Sequence, residues 1–519
     1  MMMKYDKKLL PNVVSASLAM LVMLCILFPH TSKAQSFYDH PVTISMAGSG
    51  MLSVSGYDAL HLNPASLYSY SDRHRFSLTI PSISFGTGGQ LMNTSVYNEY
   101  LTEGRVLTDE LQAEMLLKWF PNGGNQMEYG AFQTGITTLG ISYRFGNHAL
   151  AIGHRARAYG RTGTTKGVFE AAFGGLDDQL FADAQRLDLR TELMALSEFS
   201  AGWAGQVYYD GDSPLFGLPV RIKAGVSPKL IIAYGSFDMD FSSTLKVSGD
   251  SLVVHNFNYS LLTHGELGNN LQQYATDRDA TGGTNPSLSD YTGDSFDDFG
   301  SPAGYGFGLS LGAVADITLP AHVLDNAFFG RGSKNLQLGF ALSDMGRTVI
   351  SRESARITHS DELRWKGLAI DNDWIDNEFD GNIDDYVDYV LNDSLGSSTY
   401  LAYGVDRESY TVSLPGFASL SGMLSSPKTD ISVDIQKGFN NVGINSRVFR
   451  LAVGIEHRPV RVLPLRTGFA TGGKNGFIVG LGTGLRMRYF TLDLGTSFSP
   501  ATESRGAWAA FSFGTTYRF

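Results

Sequence analysis

From Phe449 onward, apolar and polar positions alternate with a period of two. Phe449, Leu451, Val453 and Ile455 oppose Arg450, Ala452, Gly454 and Glu456, and Leu465, Thr467 and Phe469 oppose Arg466, Gly468 and Ala470. Gly472-Gly473-Lys474-Asn475-Gly476 then reads as a hairpin turn. Beyond it, Phe477, Val479, Leu481 and Leu485 face away from Gly480, Gly482 and Gly484. Phe490, Leu492, Leu494 and Phe498 repeat the pattern against Thr491, Asp493, Gly495 and Ser497. A period of two is the signature of strands with one greasy face. Similar runs occur at Phe76–Ile80, Leu139–Tyr143, Val220–Val226, Tyr305–Leu311, Leu336–Phe340 and Ile431–Ile435. Weaker ones lie around 148–158, 193–208, 237–248 and 400–413. Together they predict fourteen to sixteen strands, with fourteen the expectation. Val168 to Arg190 reads as helix, and 275–301 and 370–395 read as long acidic insertions.

No apolar run after residue 34 reaches the ~20 residues a spanning helix needs. A membrane location therefore requires a closed barrel, the other way to satisfy every backbone group in lipid. A soluble sandwich also alternates, but its greasy side faces a second sheet. Here the opposite faces mix Arg, Asp and Glu with glycine. In the last strand Phe511, Phe513, Tyr517 and Phe519 share a face. That aromatic ending resembles the signal by which bacterial outer-membrane barrels are recognised for insertion, which implies outer-membrane lipid and the barrel-assembly machinery as partners.

At the other end, Lys4, Lys7 and Lys8 precede an apolar stretch from Asn12 to Phe28, followed by Ser32-Lys33-Ala34. This describes a cleavable secretory signal spanning residues 1–34. The alternative, a permanent membrane helix, has too short an apolar run. Cys25, the only cysteine, lies inside the leader, so the exported chain has no disulfide or thiol chemistry. Leu24 before it is too large for a lipoprotein cleavage site. Removing Lys4, Lys7, Lys8, Lys33 and Asp6 with the leader leaves 36 basic against 50 acidic residues, a net charge of −14. That balance argues against nucleic acid as a partner. Of 519 residues, 59 are glycine and 56 are Phe or Tyr, which favours one large exported β-structure over several ordinary domains.

The candidate chemical motifs are weak. Asp376, Glu378 and Asp380, followed by Gly381, imitate a calcium loop across Asp376 to Asp384, but Val387 stands where the bidentate Glu belongs. A solvated loop leading into an amphipathic helix, Asp384 to Leu391, is the simpler account. Gly308-Leu-Ser310-Leu-Gly312 has the letters of a serine-hydrolase elbow, which needs a sharp strand-to-helix turn. Tyr305, Phe307, Leu309 and Leu311 instead continue one strand, with Gly308, Ser310 and Gly312 as its small, lumen-facing side. The glycines around Lys474 lack the spacing of a phosphate loop, and the eleven histidines form no HExxH. No cofactor, metal or catalytic site emerges, and a lipase would need a Ser, His and acid set that the sequence does not offer.

The segment Gly56-Tyr-Asp-Ala-Leu-His-Leu-Asn63-Pro64-Ala65-Ser-Leu67 cannot stay helical to its end, because Pro64 lacks an amide proton and extends Asn63. The longer run from Ser45 to Ile80 resembles the N-terminal region of the long-chain fatty-acid transporter family (FadL-like) and of related Bacteroidota barrels, including PorV-like type IX secretion shuttles. A glycine-bearing run, then Asn-Pro-Ala, then a first strand is the shared order. The matching residues are Gly48, Gly50, Gly56, Asn63, Pro64 and Ala65, with Ser66 where the transporters carry glycine. The resemblance implies an all-β transmembrane antiparallel barrel of about 14 strands with an N-terminal hatch inside the lumen. Residues 35–72 would be the hatch and 73–519 the barrel. It also implies a location in the outer membrane of a Gram-negative bacterium. The implied function is passage of fatty-acid-like hydrophobic molecules, with Asn63 to Ala65 and the three glycines along the ligand path. The PorV-like alternative is a barrel that holds a surface or secreted protein through its acidic loops. A hatch also makes physical sense: about 8 strands already suffice for a side-chain-filled bore, so a wider lumen needs a filler. Glycine faces at Gly480, Gly482, Gly484 and Gly308 leave room for one.

Overall fold

The computed structural model describes residues 40–519 apart from 70–73, 103–105, 107, 175–180, 212–216, 249–250, 281–290, 292–300, 352–354, 366–403, 407–408, 474–475 and 500–505. The predicted leader, the 370–395 insertion with its calcium-like stretch, and most of 275–301 lie outside the described residues.

Alternating sequence becomes strand throughout. In the first half these are β1 (Phe76–Gly89), β2 (Glu128–Phe145), β3 (His148–Thr164), β4 (Gln185–Asp210), β5 (Val220–Ser248), β6 (Ser251–Thr263), β7 (Gly304–Leu319), β8 (Lys334–Ile350) and β9 (Ala355–Trp365). The second half adds β10 (Gly404–Asp406), β11 (Tyr410–Ser413), β12 (Phe417–Ser425), β13 (Thr429–Gly438), β14 (Arg450–Val460), β15 (Leu463–Gly472), β16 (Phe477–Arg486), β17 (Phe490–Ser499) and β18 (Ala507–Arg518). Antiparallel pairing runs from β1 to β5, then through β7 and β8 to β12, and on in order to β18, which pairs back with β1. With β6, β9, β10 and β11 outside this circuit, fourteen strands close the barrel.

The barrel has two unlike ends. Short turns join β2 to β3, β12 to β13, β14 to β15 and β16 to β17 at the end where β1 starts and Phe519 lies. The opposite, loop end carries helices α1 (Asp109–Trp119), α2 (Lys166–Gly174) and α3 (Gly265–Ala280). With 26 and 29 residues, β4 and β5 far exceed the ~9–11 a crossing requires. The β5–β7 pairing stops at Ala233–Gly304, and from Asp238 onward β5 pairs with β6 instead, which leads through β9 to β10 in an outlying sheet. Residues 237–248 are thus the upper part of β5 rather than a separate strand. The helix expected to Arg190 stops at Gly174, because Leu187 and Leu189 alternate with Asp188 and Arg190 and pair with β5.

Outward positions are apolar and uncovered, among them Phe85, Ile152, Phe199, Phe307, Phe340 and Leu420. Such a belt around a closed antiparallel barrel is the lipid-facing surface of a transmembrane protein. Phe511, Tyr517 and Phe519 are exposed on the same exterior, with Phe513 half-buried; the Tyr517 ring lies tilted 5.2 Å from Phe490, and Phe519 lies 6.0 Å from Phe76.

Candidate functional site in the barrel lumen

The bore is filled by residues 40–69. A short helix (Pro41–Ser45) is followed by 3-10 turns at Met51–Ser53, Gly56–His61 and Pro64–Leu67. Gly48, Gly50 and Gly56 adopt φ of 90°, 83° and 72°, left-handed values that favour glycine. Asn63 is extended, as the residue before a proline must be. Its side chain accepts the Ala65 amide (3.1 Å) and donates to the Phe340 carbonyl (3.3 Å).

Small wall residues let this segment approach the backbone of the barrel. Tyr57 lies on Gly140 and Gly153, Leu60 on Gly202, Pro64 on Gly225, and Met46 on Gly454 and Gly468. A methyl group at Gly153 would stand 2.6 Å from the Tyr57 ring, and one at Gly454 2.6 Å from Met46 Cβ. Gly480 and Gly482 receive the segment as their positions imply. Gly484 instead faces Asp493 and Pro464, and Gly308 faces Leu414, Ile231 and Lys229, so neither makes room for it. Tyr57, Met46, Met51 and Leu60 are wholly buried, each worth roughly 1.5–3 kcal/mol over exposure.

Polar groups of the wall satisfy the backbone that no ladder pairs. Asp434 accepts from Ser49 Oγ (2.8 Å), the Gly50 amide (2.8 Å) and Ser421 Oγ (2.5 Å). Gln436 donates to the Gly48 carbonyl (2.8 Å), Arg450 to the Ala47 carbonyl, and Ser343 to the Leu62 carbonyl (2.6 Å). Asp58 sits 3.9 Å from His40 and is pushed up by burial, with the His40 charge opposing.

Reading four strands from the terminal end toward the loop end gives the same layers. On β5, Gly225 touches the filler, Lys229 carries charge, and Ile231 and Ala233 are apolar. The order on β3 is Gly153, then Arg155 and Arg157, then Tyr159. On β4 it is Gly202, Glu198, then Leu196 and Met194. On β8 Gly339 meets Leu52, Asp344 follows, and Ile350 ends the series.

The charged layer is wholly buried. Arg155 reaches Glu198 at 2.5 Å, Arg157 reaches Glu198 at 3.2 Å and Asp344 at 2.7 Å, and Lys229 bonds Asp344. Asp344 lies at φ 53° in a bulge of β8, which shifts the inward positions from Gly339, Ala341 and Ser343 to Asp344, Thr348 and Ile350. His61 of the filler stands 3.9 Å from Glu198, with no hydrogen-bond partner on either ring nitrogen among the described residues. Burial, and after it the Arg155 charge, holds His61 well below its ordinary value of 6.5, so it is neutral.

Beyond the apolar layer, where β5 leaves β7, lies a cavity of about 290 Å³. Tyr159 and Met194, at inward positions, and Phe132, Leu193 and Phe237, at outward ones, give it apolar walls from both faces of the sheet, and His264 accepts the Ser236 amide at 2.8 Å on its rim. Asn63, Pro64 and Ala65 do not line it. They press on Gly225, Gly312 and Gly339, about 30 Å along β5 from Gly235 at ~3.3 Å per residue. The charged layer separates the two. Sequence reasoning missed that layer, since the alternation that marks Arg155, Arg157, Glu198 and Lys229 as inward cannot say which of them meet. Ser310 is a plain strand residue whose Oγ accepts the Asp344 amide at 3.2 Å.

A family model described as a family of unknown function, DUF5723, matches residues 70–497. No curated protein matches the chain in sequence. Among solved structures, a FadL homologue from Pseudomonas aeruginosa is 12% identical with a TM-score of 0.45, covering 94% of this chain and 100% of its own. The Ralstonia pickettii toluene transporter TbuX is also 12% identical, with a TM-score of 0.38 and coverage of 95% and 100%. The translocator domain of the autotransporter NalP from Neisseria meningitidis is 11% identical, with a TM-score of 0.31 and coverage of 87% and 90%. Nothing of their cargo transfers to this chain.

Proposed function

We propose that this chain, which belongs to the family of unknown function DUF5723, is an outer-membrane barrel that passes fatty-acid-like hydrophobic molecules, with residues 35–72, of which 40–69 fill the bore, as its hatch. The observation that carries this reading is the apolar cavity of about 290 Å³ at the loop end, on the same strands whose lower parts grip the hatch. A largely apolar cavity with few polar groups on its rim suits a hydrophobic ligand. From there a molecule meets the charged layer and then the hatch, so passage requires the hatch to shift. Asn63, Pro64 and Ala65, with the turns at Gly48, Gly50 and Gly56, belong to the part that moves.

A photoactivatable long-chain fatty acid, applied to the purified barrel, tests the cavity. Adducts at Tyr159, Met194 or Phe237, lost in Met194→Trp, support the reading; labelling that ignores both the cavity and the substitution refutes it.

The sheet that β5, β6, β9 and β10 build beyond the barrel favours a second reading, a PorV-like barrel that holds a surface or secreted protein. Partners that co-purify with the intact chain and vanish on deletion of residues 370–395 would support it. Partners retained after that deletion would exclude it.

A further inference from the structure

Most charged side chains turned into the lumen have a partner of opposite sign close by. Glu456 takes Arg458, Arg466 and Arg486, and Lys223 meets Asp316 at 2.9 Å. At the terminal mouth the pattern fails. Arg75 precedes β1, Arg144 ends β2 and Arg518 ends β18, and all three line one small cavity between wall and filler. They share the inward parity of Ser77, Ser142 and Thr516, which line the same cavity.

The register makes the crowding explicit. Phe76 pairs with Tyr143 and the Arg144 amide donates to the Arg75 carbonyl at 2.7 Å, so the two arginines stand across from each other. Arg518 pairs with Ser77, the next inward position. Like charges directly opposite on a sheet face destabilise it, yet no carboxylate side chain lies within ion-pair distance of these three among the described residues. The Phe519 carbonyl accepts the Arg75 and Phe76 amides at 2.9 and 3.1 Å. His74 and the hydroxyls of Ser55, Ser69 and Thr516 add polar lining. Arg144 also donates to the Ser69 carbonyl at 3.1 Å, which fixes its guanidinium at the filler's exit.

We propose that Arg75, Arg144 and Arg518 form an oxyanion site at the terminal mouth that takes a phosphate group. Guanidinium groups bind phosphate bidentately. The cavity, about 30 Å³, is too small for an acyl chain, so the phosphate oxygens would enter it and the rest of the molecule would stay outside. The group is carried by a phospholipid of the adjacent leaflet or arrives as a free phosphate. The site is independent of what crosses the barrel, so its failure and that of the transport reading are distinguishable.

The test uses the full exported barrel in a zwitterionic detergent with three probes: inorganic phosphate, dihexanoyl phosphatidic acid and dihexanoyl phosphatidylcholine. Saturable binding of phosphatidic acid, weakened about tenfold or more in Arg75→Gln/Arg144→Gln/Arg518→Gln, supports the site. Equal binding of inorganic phosphate assigns it to the free anion, and preference for phosphatidic acid assigns it to a lipid head group. Heat-modifiable gel migration reports whether the triple variant folds. If it does not, the unaltered protein decides, because true oxyanion binding must weaken steeply with added salt. Binding that is equal in wild type and a folded variant, indifferent to salt, or undetectable with both anionic probes overturns the proposal.

Discussion

Two buried charge networks brace this lumen, and they differ in what they touch. Around Glu456 the network belongs to the wall alone: Arg458, Arg466 and Arg486 reach its carboxylate at 2.5–2.7 Å, and Asp430 and Asp493 balance the remaining charge. Around Asp344 the network sets three cations against two carboxylates and meets the filler at His61, while the neighbouring Ser343 donates to the Leu62 carbonyl. A balanced network holding strands together needs no moving part. An unbalanced one between an apolar cavity and the filler couples the wall to the element that shifts on the proposed route. Substitutions in the two should therefore separate barrel stability from hatch retention.

The largest effect is expected for Glu456→Gln. The buried Arg466 and the half-buried Arg458 and Arg486 lose their common carboxylate, at a cost of about 3–5 kcal/mol. Urea denaturation followed by gel migration should show a less stable barrel, with the labelling rate of a cysteine placed at Leu62 unchanged under native conditions. Asp344→Asn should reverse the pattern. Lys229 and Arg157 lose a partner beside the filler, and Leu62→Cys labels faster while the barrel's unfolding midpoint moves less.

Next in size are the glycines under the filler. Gly140→Ala forces a methyl group against Tyr57, whose side chain is all that it meets at close range, and overpacking of this kind costs roughly 1–3 kcal/mol. Gly422→Ala, whose methyl would meet only Leu338 at 3.9 Å, should leave the same unfolding curve unmoved. Equal effects from the two would mean that the filler does not depend on close approach to the wall.

The smallest effect is a pH dependence. His61 is held neutral in the fold and regains its ordinary affinity for a proton near 6.5 once released. The released state then binds more protons, so retention of the hatch weakens as pH falls below about 6.5, by up to ~1.4 kcal/mol per pH unit. His61→Asn should flatten the labelling rate of Leu62→Cys between pH 5 and 7; a slope that survives the substitution assigns the effect elsewhere.

Much of the barrel was legible because alternation is a local property. Phe477 to Ser497 shows its two faces without reference to any neighbour, and the strand count follows from such runs. The kink of the N-terminal segment was equally open to reading at Pro64, where backbone geometry restricts the residue. What alternation does not encode is register between distant strands. Arg157 and Asp344 are 187 residues apart, and only closure of the barrel brings them to 2.7 Å. The bulge that turns Asp344 inward breaks the very period on which the reading depends. Upper β5 was missed as part of a longer strand for a related reason: its partner changes from β7 to β6, and sequence carries no mark of that exchange.

Movement of the hatch is best tested by tying it to the wall. Ser49 Oγ and Ser432 Oγ lie 2.7 Å apart, and Cys25 belongs to the predicted leader, so Ser49→Cys/Ser432→Cys would introduce the one disulfide of the exported chain. Uptake of a labelled long-chain fatty acid by cells carrying this variant should fall about tenfold or more when the bridge is oxidised and recover on reduction. Full uptake through the oxidised, bridged barrel would contradict a route that opens by displacement of the hatch.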